Sequence, residues 1–336
     1  MTRIRLTALV GALLLTACGD DQPLPPARPL TATAEQLAAI PGRKAGPHEV
    51  AIDALDWSVD GDTLKVRVVR PVGAGPFPLI VFSHGFASDV DEYDALLHHW
   101  ASHGYLSIAP FHADGGGTLS AILASIRLGK GGLIASRVRD LSTVLDHLDT
   151  LEQAVPALHG RIDQQHTIAA GHSFGAFTAQ QLGGADAVNP DGHERIRSRD
   201  PRIRAVVAIS PPGEMFGWIT AESWTGMETP MLLTTGTWDR DGRFVTDWRQ
   251  HLLSFETAPA GQNWALVIEG ADHYLGSLIC RTDRDEPPQA DALAMVKAVS
   301  TAFMNAQTGS EPMQASVLQA GRLSELTERF AIVLRR

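Results

Sequence analysis

The chain has 336 residues with 38 acidic and 28 basic side chains, a formal net charge of −10, and 44% hydrophobic residues. This composition is typical of a globular protein, and the acidic balance argues against non-specific nucleic-acid binding, which needs a basic surface. The sequence contains two cysteines, which excludes a disulfide-rich scaffold and a zinc site with four cysteine ligands.

The N-terminus has the features of a secretion signal. Two arginines precede an apolar run at residues 6–15 that is too short to span a bilayer permanently. Residues 15–18 read LTAC and resemble the bacterial lipobox, in which the cysteine carries the lipid. The resemblance implies that residues 1–17 are a signal peptide and that Cys18 attaches the chain to a membrane. An ordinary signal peptide with an incidental cysteine is the alternative, and an acylated Cys18 would leave Cys280 without a disulfide partner.

The residues after the predicted signal peptide divide into three segments. Gly19, in place of an aspartate, implies by the same resemblance that the lipid-anchored chain lies in the outer membrane of the bacterial cell envelope. Residues 18–47 contain six prolines and are predicted to form a semi-extended tether. Residues 48–305 are predicted to form one folded domain, followed by a C-terminal extension at residues 306–336. The sequence does not decide whether the extension packs on the domain or on a partner.

Strand-like apolar runs alternate with helical periodicity along the predicted domain. Eight runs are typical of strands, at residues 51–59, 63–69, 79–82, 106–109, 167–170, 204–209, 231–235 and 265–268. Helical periodicity is present at residues 93–100, 138–148, 174–182 and 292–303. This alternation predicts a mostly parallel central sheet with helices on both faces. Because ligands bind such sheets at the carboxyl ends of the strands, we expect the functional residues there.

A serine follows the predicted strand at residues 167–170. Residues 171–175 read GHSFG, which matches the pattern G-x-S-x-G, and a helical segment begins directly after the serine. A sharp turn from strand to helix lifts Ser173 out of the sheet, and the flanking glycines avoid clashes with neighbouring backbone. The N–H groups at the start of the helix favour an oxyanion beside it. The sequence therefore predicts Ser173 as a nucleophile, against the alternative of a capping serine in a glycine-rich turn.

Two further strand ends carry an acid and a base. Asp239 lies just after the predicted strand at residues 231–235, where its carboxylate can orient an imidazole and stabilise the charged form of that ring. Asp241, two residues further on, is the alternative acid. His273 follows the predicted strand at residues 265–268 and is the candidate general base. The spacing allows the serine, the acid and the base to come from three different strand ends.

Backbone N–H groups near the nucleophile are candidate oxyanion donors. Residues 83–86 read SHGF and follow the predicted strand at residues 79–82. The glycine in this run lets the chain turn so that the Phe86 N–H points at the substrate oxygen. The Phe174 N–H, directly after the nucleophile, is the second donor, so the sequence predicts an oxyanion hole with two backbone donors.

The motifs together resemble those of the α/β-hydrolase superfamily. The order Ser, Asp, His along the chain is the order of the catalytic residues in that superfamily. Residues 82–85 (FSHG), 101–105 (ASHGY) and 171–175 (GHSFG) look like the branch of dienelactone-hydrolase-like, platelet-activating-factor-acetylhydrolase-like, chlorophyllase-like and polyester-hydrolase-like serine esterases. Dienelactone hydrolases proper use a cysteine nucleophile where this sequence has Ser173, so the resemblance does not imply a lactone substrate.

The resemblance implies an α/β-hydrolase fold over residues 48–305, with Ser173, Asp239 and His273 as a catalytic triad. It implies a carboxylic ester hydrolase that works through an acyl-enzyme and requires no metal and no organic cofactor. The expected substrate is a small-molecule, lipid or polymer ester, and the expected partner is the membrane reached through Cys18. Two alternatives stay open: amide or thioester hydrolysis or acyl transfer on the same triad, and an envelope lipoprotein that binds ligands without chemistry. The sequence does not determine the oligomeric state.

Overall fold

The described part of the chain is built on two β-sheets. A computed structural model describes residues 24–59, 61–189, 193–240, 244–309 and 312–336, with only the backbone at 312–314. The predicted signal peptide, Cys18 and the alternative acid Asp241 lie outside these residues. Within the described ranges, the larger sheet has nine strands and the smaller sheet has two.

The larger sheet is mostly parallel. The strands are, in chain order, β1 Val50–Val59, β2 Asp62–Pro71, β3 Phe77–Ser83, β4 Leu106–Pro110, β5 Ile162–His172, β6 Asp186–Val188, β7 Arg195–Arg197, β8 Ile203–Ile209, β9 Met231–Gly236, β10 Asn263–Ile268 and β11 Ala331–Arg335. Their order across the larger sheet is β1-β2-β4-β3-β5-β8-β9-β10-β11, and β6 pairs with β7. In this order the six central strands, β4, β3, β5, β8, β9 and β10, run parallel to one another. The strands β1, β2 and β11 pair in antiparallel fashion on either side of them. All eight strands that the sequence predicts are present.

Helices cover both faces of the larger sheet. They are α1 Ala34–Ala38, α2 Asp94–Ser102, α3 Thr118–Asp146, α4 Leu148–Ala154, α5 Phe174–Gly183, α6 Leu253–Thr257, α7 Ala290–Thr308 and α8 Arg322–Leu326. Helices α2 and α7 pack on one face, whereas α3, α4 and α5 pack on the other. Along β3, Ile80 and Phe82 are buried in the core on the face covered by α2 and α7. Leu79 and Val81 are buried in the core on the opposite face, which α3, α4 and α5 cover. This burial on both faces explains why β3 is a continuous apolar run in the sequence.

The carboxyl ends of β3, β5, β9 and β10 meet at one edge of the sheet because these strands are parallel. The connection from β5 to α5 carries the G-x-S-x-G run at this edge. A mostly parallel sheet covered by helices on both faces, with this run in a strand–turn–helix connection, is the α/β-hydrolase fold. The fold implied by the sequence is therefore confirmed.

Both ends of the described chain pack onto the domain. Helix α1 begins with a capping box at Thr33, and Ile40, two residues after the helix, is buried in the core that contains α7. At the other end, β11 pairs with β10, and Ala331 and Val333 are buried in the same core. The residues predicted to form an extension after residue 305 thus supply the last strand of the larger sheet.

Helix α3 changes direction at Gly129, whose φ of 67° and ψ of 169° are not helical. After this kink the helix packs into the core through Ile134, Leu141, Val144 and Leu145. Before the kink it lies on the surface and is buried only at Ala121 and Ala124. By length and composition, α3 is the one helix of the described residues that could cross a membrane, but the burial of its second half makes it part of the folded domain.

Candidate active site

Ser173 lies in a strained turn between β5 and α5. Its φ of 53° and ψ of −123° are unfavourable for a residue with a Cβ atom, and the Ser173 N–H donates to the Ile209 carbonyl at 2.9 Å. A Cβ atom on Gly175 would lie 2.1 Å from the Ser83 carbonyl oxygen, and one on Gly171 would lie 2.3 Å from the Gly175 carbonyl oxygen. Both glycines of the motif are therefore required for the close approach of the turn to β3.

His273 and Asp239 are in direct contact. The His273 Nδ1–H donates to Asp239 Oδ1 at 2.7 Å, and the Thr235 hydroxyl donates to Asp239 Oδ2 at 2.9 Å. A proton on Nδ1 leaves the Nε2 of a neutral His273 free to accept one. Burial alone would raise the pKa of Asp239, but the two histidines that face the carboxylate, His251 and His273, hold this pKa well below its ordinary value. Asp239 is therefore a buried carboxylate that orients the His273 ring.

His251 is a second histidine on the same carboxylate. Its Nε2 lies 2.9 Å from Asp239 Oδ1 and 3.2 Å from the Asp239 carbonyl oxygen, while its Nδ1 lies 2.6 Å from the Pro211 carbonyl oxygen. Both ring nitrogens face only acceptors, so both carry hydrogen and the ring is an imidazolium. Burial opposes this charge, but the Asp239 carboxylate outweighs it and raises the pKa of His251.

No motif in the sequence predicts His251 as a site residue. It lies in the short 3-10 helix Trp248–Leu252, in no recognisable motif, and its side chain is buried behind Asp239. One signal could have found it, since His251 and His273 are the only histidines in the sequence after His193.

His172, the residue before the nucleophile, connects the base to the rest of the site. Its Nε2–H donates to the His273 carbonyl at 2.9 Å, and the Tyr93 hydroxyl lies 2.9 Å from its Nδ1. Burial, followed by the neighbouring His273, lowers the pKa of His172 well below its ordinary value, so the ring is neutral. The Gly85 N–H donates to the Tyr93 hydroxyl at 2.9 Å. The hydrogen bonds of His172 therefore extend to the loop at residues 83–86, which carries the candidate oxyanion donor Phe86. His172 therefore holds the His273 backbone beside Ser173.

The two predicted oxyanion donors are neighbours. The Phe86 and Phe174 rings pack edge to face with centroids 6.4 Å apart. Phe174 is the first residue of α5, where the N–H groups have no carbonyl of the preceding turn to bind. The structure thus brings Phe86 and Phe174 into side-chain contact next to the nucleophile turn.

Arg137 of α3 fixes the loop that carries Phe86. Its guanidinium donates to the His84 carbonyl at 2.6 Å and to the Gly85 carbonyl at 3.2 Å. The same group binds both carboxylate oxygens of Asp114, at 3.0 and 2.7 Å, and both side chains are fully buried. This buried ion pair therefore holds the backbone of the loop in place.

A second serine–histidine–aspartate set lies beneath this loop. The Ser83 hydroxyl donates to His112 Nε2 at 2.8 Å, and the His112 Nδ1–H donates to Asp140 Oδ2 at 2.7 Å. Burial lowers the pKa of His112 well below its ordinary value and raises the pKa of Asp140 to about 7. Ser83 is fully buried, and its oxygen also accepts a hydrogen bond from Arg137 at 3.1 Å. The set is thus a structural network and lacks access to a substrate.

Asp239, His251 and His273 also have the residue types of a metal site. In the described ranges they form the one group of this kind, with one potential ligand atom from each within 4.8 Å of the others. His273 Nδ1 and His251 Nε2 lie 2.7 and 2.9 Å from the same carboxylate oxygen, which are hydrogen-bond distances, and each nitrogen would have to lose its proton to bind zinc. The distances are those of a carboxylate that accepts hydrogen bonds from two histidine rings.

Comparisons with known proteins agree with this fold. Residues 44–183 match the chlorophyllase family, and this stretch contains the loop at residues 83–86 and Ser173. Chlorophyllase-1 of Arabidopsis thaliana is 27% identical over 163 residues, which cover 48% of this chain and 44% of that protein. The chain therefore spans under half the length of the curated relative that it matches.

A solved structure from Klebsiella pneumoniae, described as a dienelactone hydrolase, is 18% identical with a TM-score of 0.47, covering 76% of this chain and 98% of that one. The assignment of the fold rests on the strand order and on the strained serine turn, and the match to the chlorophyllase family agrees with it. The chain has the α/β-hydrolase fold, and its residues 44–183 are similar to the chlorophyllase family.

Proposed function

We propose that this protein is a serine hydrolase that cleaves carboxylic esters through an acyl-enzyme. The observation that carries the proposal is the 2.7 Å hydrogen bond from His273 Nδ1 to Asp239, beside a strained turn that presents Ser173. The chlorophyllase match supports ester bonds as the target of this serine.

In the first half of the reaction, the Ser173 oxygen attacks the ester carbonyl carbon while His273 Nε2 takes the hydroxyl proton. The carbonyl oxygen becomes an oxyanion, which accepts hydrogen bonds from the Phe86 and Phe174 N–H groups. Asp239 stabilises the charged His273 ring during this step. The bond to the alcohol then breaks, His273 returns the proton to the leaving alkoxide, and the acyl group remains on Ser173.

In the second half, water replaces the alcohol. His273 Nε2 takes a proton from the water as its oxygen attacks the acyl carbon, and the same two N–H groups hold the new oxyanion. The bond to the Ser173 oxygen breaks, the serine regains a proton from His273, and the carboxylic acid leaves. The two steps together consume one water and produce one alcohol and one acid.

A fluorophosphonate probe tests this proposal because it reacts with activated serine nucleophiles. We expect it to label the wild type and to leave Ser173→Ala unlabelled. Ser83→Ala is the matched control, because Ser83 belongs to the buried second set, and this variant should still be labelled. Labelling that persists in Ser173→Ala, or that is lost in Ser83→Ala alone, would contradict the assignment, and a lack of labelling in the wild type would favour a binding module.

We also propose that the mature chain is anchored through Cys18 to a membrane of the bacterial envelope, with Gly19 favouring the outer membrane. The support for this is the LTAC run after a short apolar segment. In a bacterial host, labelled palmitate should enter the wild-type chain and should not enter Cys18→Ser. Equal incorporation into both chains would rule out Cys18 as the anchor.

A further inference from the structure

The first half of α3 turns its large apolar side chains toward solvent. Leu119, Ile122, Leu123 and Ile126 have the spacing of one helix face, and they are between 43% and 76% exposed. The small residues Ala121 and Ala124 face the domain instead. An ordinary surface helix shows the reverse arrangement, and a contiguous exposed apolar surface of this kind marks an interaction site.

This helix face is connected to the mouth of the candidate active site. At its start, the Gly116 N–H donates to Asp89 at 2.9 Å, in the segment that follows Phe86. Further along, Lys130 Nζ lies 4.0 Å above the Phe216 ring, which packs against Phe244 with centroids 5.4 Å apart. These three phenylalanines are 40–53% exposed. We call the whole surface the apolar rim: Leu119, Ile122, Leu123, Ile126, Phe86, Phe216 and Phe244.

The helix segment that carries four residues of the apolar rim differs in charge from the chain as a whole. Residues 115–136 contain Arg127 and Lys130 and no acidic residue, although the chain carries a net charge of −10. Exposed apolar residues beside basic residues, on a helix that lies flat on a domain, are typical of segments that bind the surface of an anionic bilayer. The apolar rim therefore complements a lipid surface better than it complements a second copy of this acidic chain.

The length of α3 defines how it would meet a bilayer. Residues 118–128, before the kink, are about 16 Å long, whereas the hydrocarbon core is about 30 Å thick. The second half of the helix is fixed in the core of the domain. The exposed half can therefore lie in the plane of the interface, with its apolar face among the acyl chains, and it cannot span the membrane.

The tether approaches the same edge of the sheet. The Trp238 indole N–H donates to the Pro25 carbonyl at 2.7 Å, and Trp238 is the residue before Asp239. Cys18 precedes Pro25 by seven residues, which span at most about 25 Å when extended. A lipid on Cys18 would thus hold this edge close to the membrane.

We propose that the apolar rim docks into the surface of an anionic lipid bilayer, so that ester substrates enter the site from the lipid phase. The entry of esters rests on the proposed function, whereas docking requires no turnover. Ser173→Ala should therefore bind vesicles as well as the wild type does, which separates a failure of docking from a failure of catalysis.

The test uses residues 19–336, which lack both the predicted signal peptide and Cys18, so that neither the apolar run nor an acyl chain contributes, and an environment-sensitive fluorophore on Ile126→Cys. Cys280 is buried, so labelling is confined to the introduced cysteine. We expect vesicles of phosphatidylglycerol and phosphatidylcholine to shift the emission to shorter wavelength and bilayer-bound quenchers to reduce it. The matched control carries the fluorophore on Gln165→Cys, which is exposed at the amino end of β5, on the opposite edge of the sheet, and should not respond.

Acidic substitutions in the apolar rim give a second measurement of docking. Leu123→Glu with Ile126→Glu should lower partitioning onto these vesicles at least about tenfold, whereas Gln164→Glu with Gln165→Glu, the same charge on the far edge, should not. Three results would overturn the proposal: no response at position 126, an equal response at position 165, or a response that follows protein concentration without vesicles. The last result would show that a second copy of the chain covers the rim.

Discussion

Asparagine in place of Asp239 is expected to lower kcat for a p-nitrophenyl ester by about 10⁴-fold, the loss typical of a neutralised triad aspartate. The carboxylate accepts hydrogen bonds from His273 at 2.7 Å and from His251 at 2.9 Å, both on the same oxygen. An amide carries no charge to stabilise the protonated His273 ring, and its NH₂ group cannot accept a hydrogen bond. Steady-state kinetics, with circular dichroism to confirm folding, measure the effect.

Two variants make this prediction specific. Asp241→Asn removes the alternative acid and should change kcat by less than about threefold, because Asp239 supplies the carboxylate that His273 binds. His251→Gln keeps the Asp239 charge and should cost less activity than Asp239→Asn. A larger loss at Asp241 than at Asp239 would transfer the role of the acid to Asp241.

The same carboxylate should control how stability depends on pH. The folded pKa of Asp239 is lowered, so its contribution is present above the unfolded value of about 3.9 and is lost as the pH falls through the folded value. The folded pKa of His251 is raised, so its contribution is present below about 6.5 and is lost as the pH rises through the folded value. Urea denaturation should therefore show the largest difference in unfolding free energy between wild type and Asp239→Asn near pH 5.5. An equal difference at pH 3, 5.5 and 9 would contradict the ion pair.

The three strand-end residues could be predicted from the sequence because the relevant patterns are local. Ser173, Asp239 and His273 each follow an apolar run within a few residues, and parallel strands end at the same edge of a sheet. The pattern could not distinguish Asp239 from Asp241, because both follow the strand closely. The contact between Asp239 and His273 required the three-dimensional structure.

His251 and Arg137 could not be predicted in this way because their roles depend on long-range contacts. His251 and Asp239 come into contact only because of how the chain folds after β9. Helical periodicity indicates which face of α3 is buried but not that an arginine is buried there, which is possible because Asp114 and two loop carbonyls pair with it. The same holds for the apolar residues at 119–126. Their spacing predicts one apolar face of a helix, but it does not tell whether the rest of the protein buries that face.

Methionine in place of Arg137 is expected to lower the free energy of unfolding by about 3–5 kcal/mol, the cost of removing one partner of a buried ion pair. Burial opposes the charge on Asp114, and Arg137 holds the pKa of this carboxyl below its ordinary value. Without the guanidinium, Asp114 is left charged and unpaired or must take up a proton. Urea denaturation measures the loss, and Arg139→Met, an exposed arginine on the same helix, should change the free energy by less than about 0.5 kcal/mol.

A double variant separates the stability of the domain from the position of the oxyanion loop. Arg137→Met with Asp114→Leu removes both charges of this ion pair, so most of the lost unfolding free energy should return. The His84 and Gly85 carbonyls still lack the Arg137 guanidinium, so the backbone that carries the Phe86 N–H is held less firmly. Because a displacement of about 1 Å can cost about 10²-fold in rate, kcat should stay low in the double variant although its stability recovers. If kcat recovered together with stability, Arg137 would serve the folding of the domain and not the geometry of the oxyanion loop.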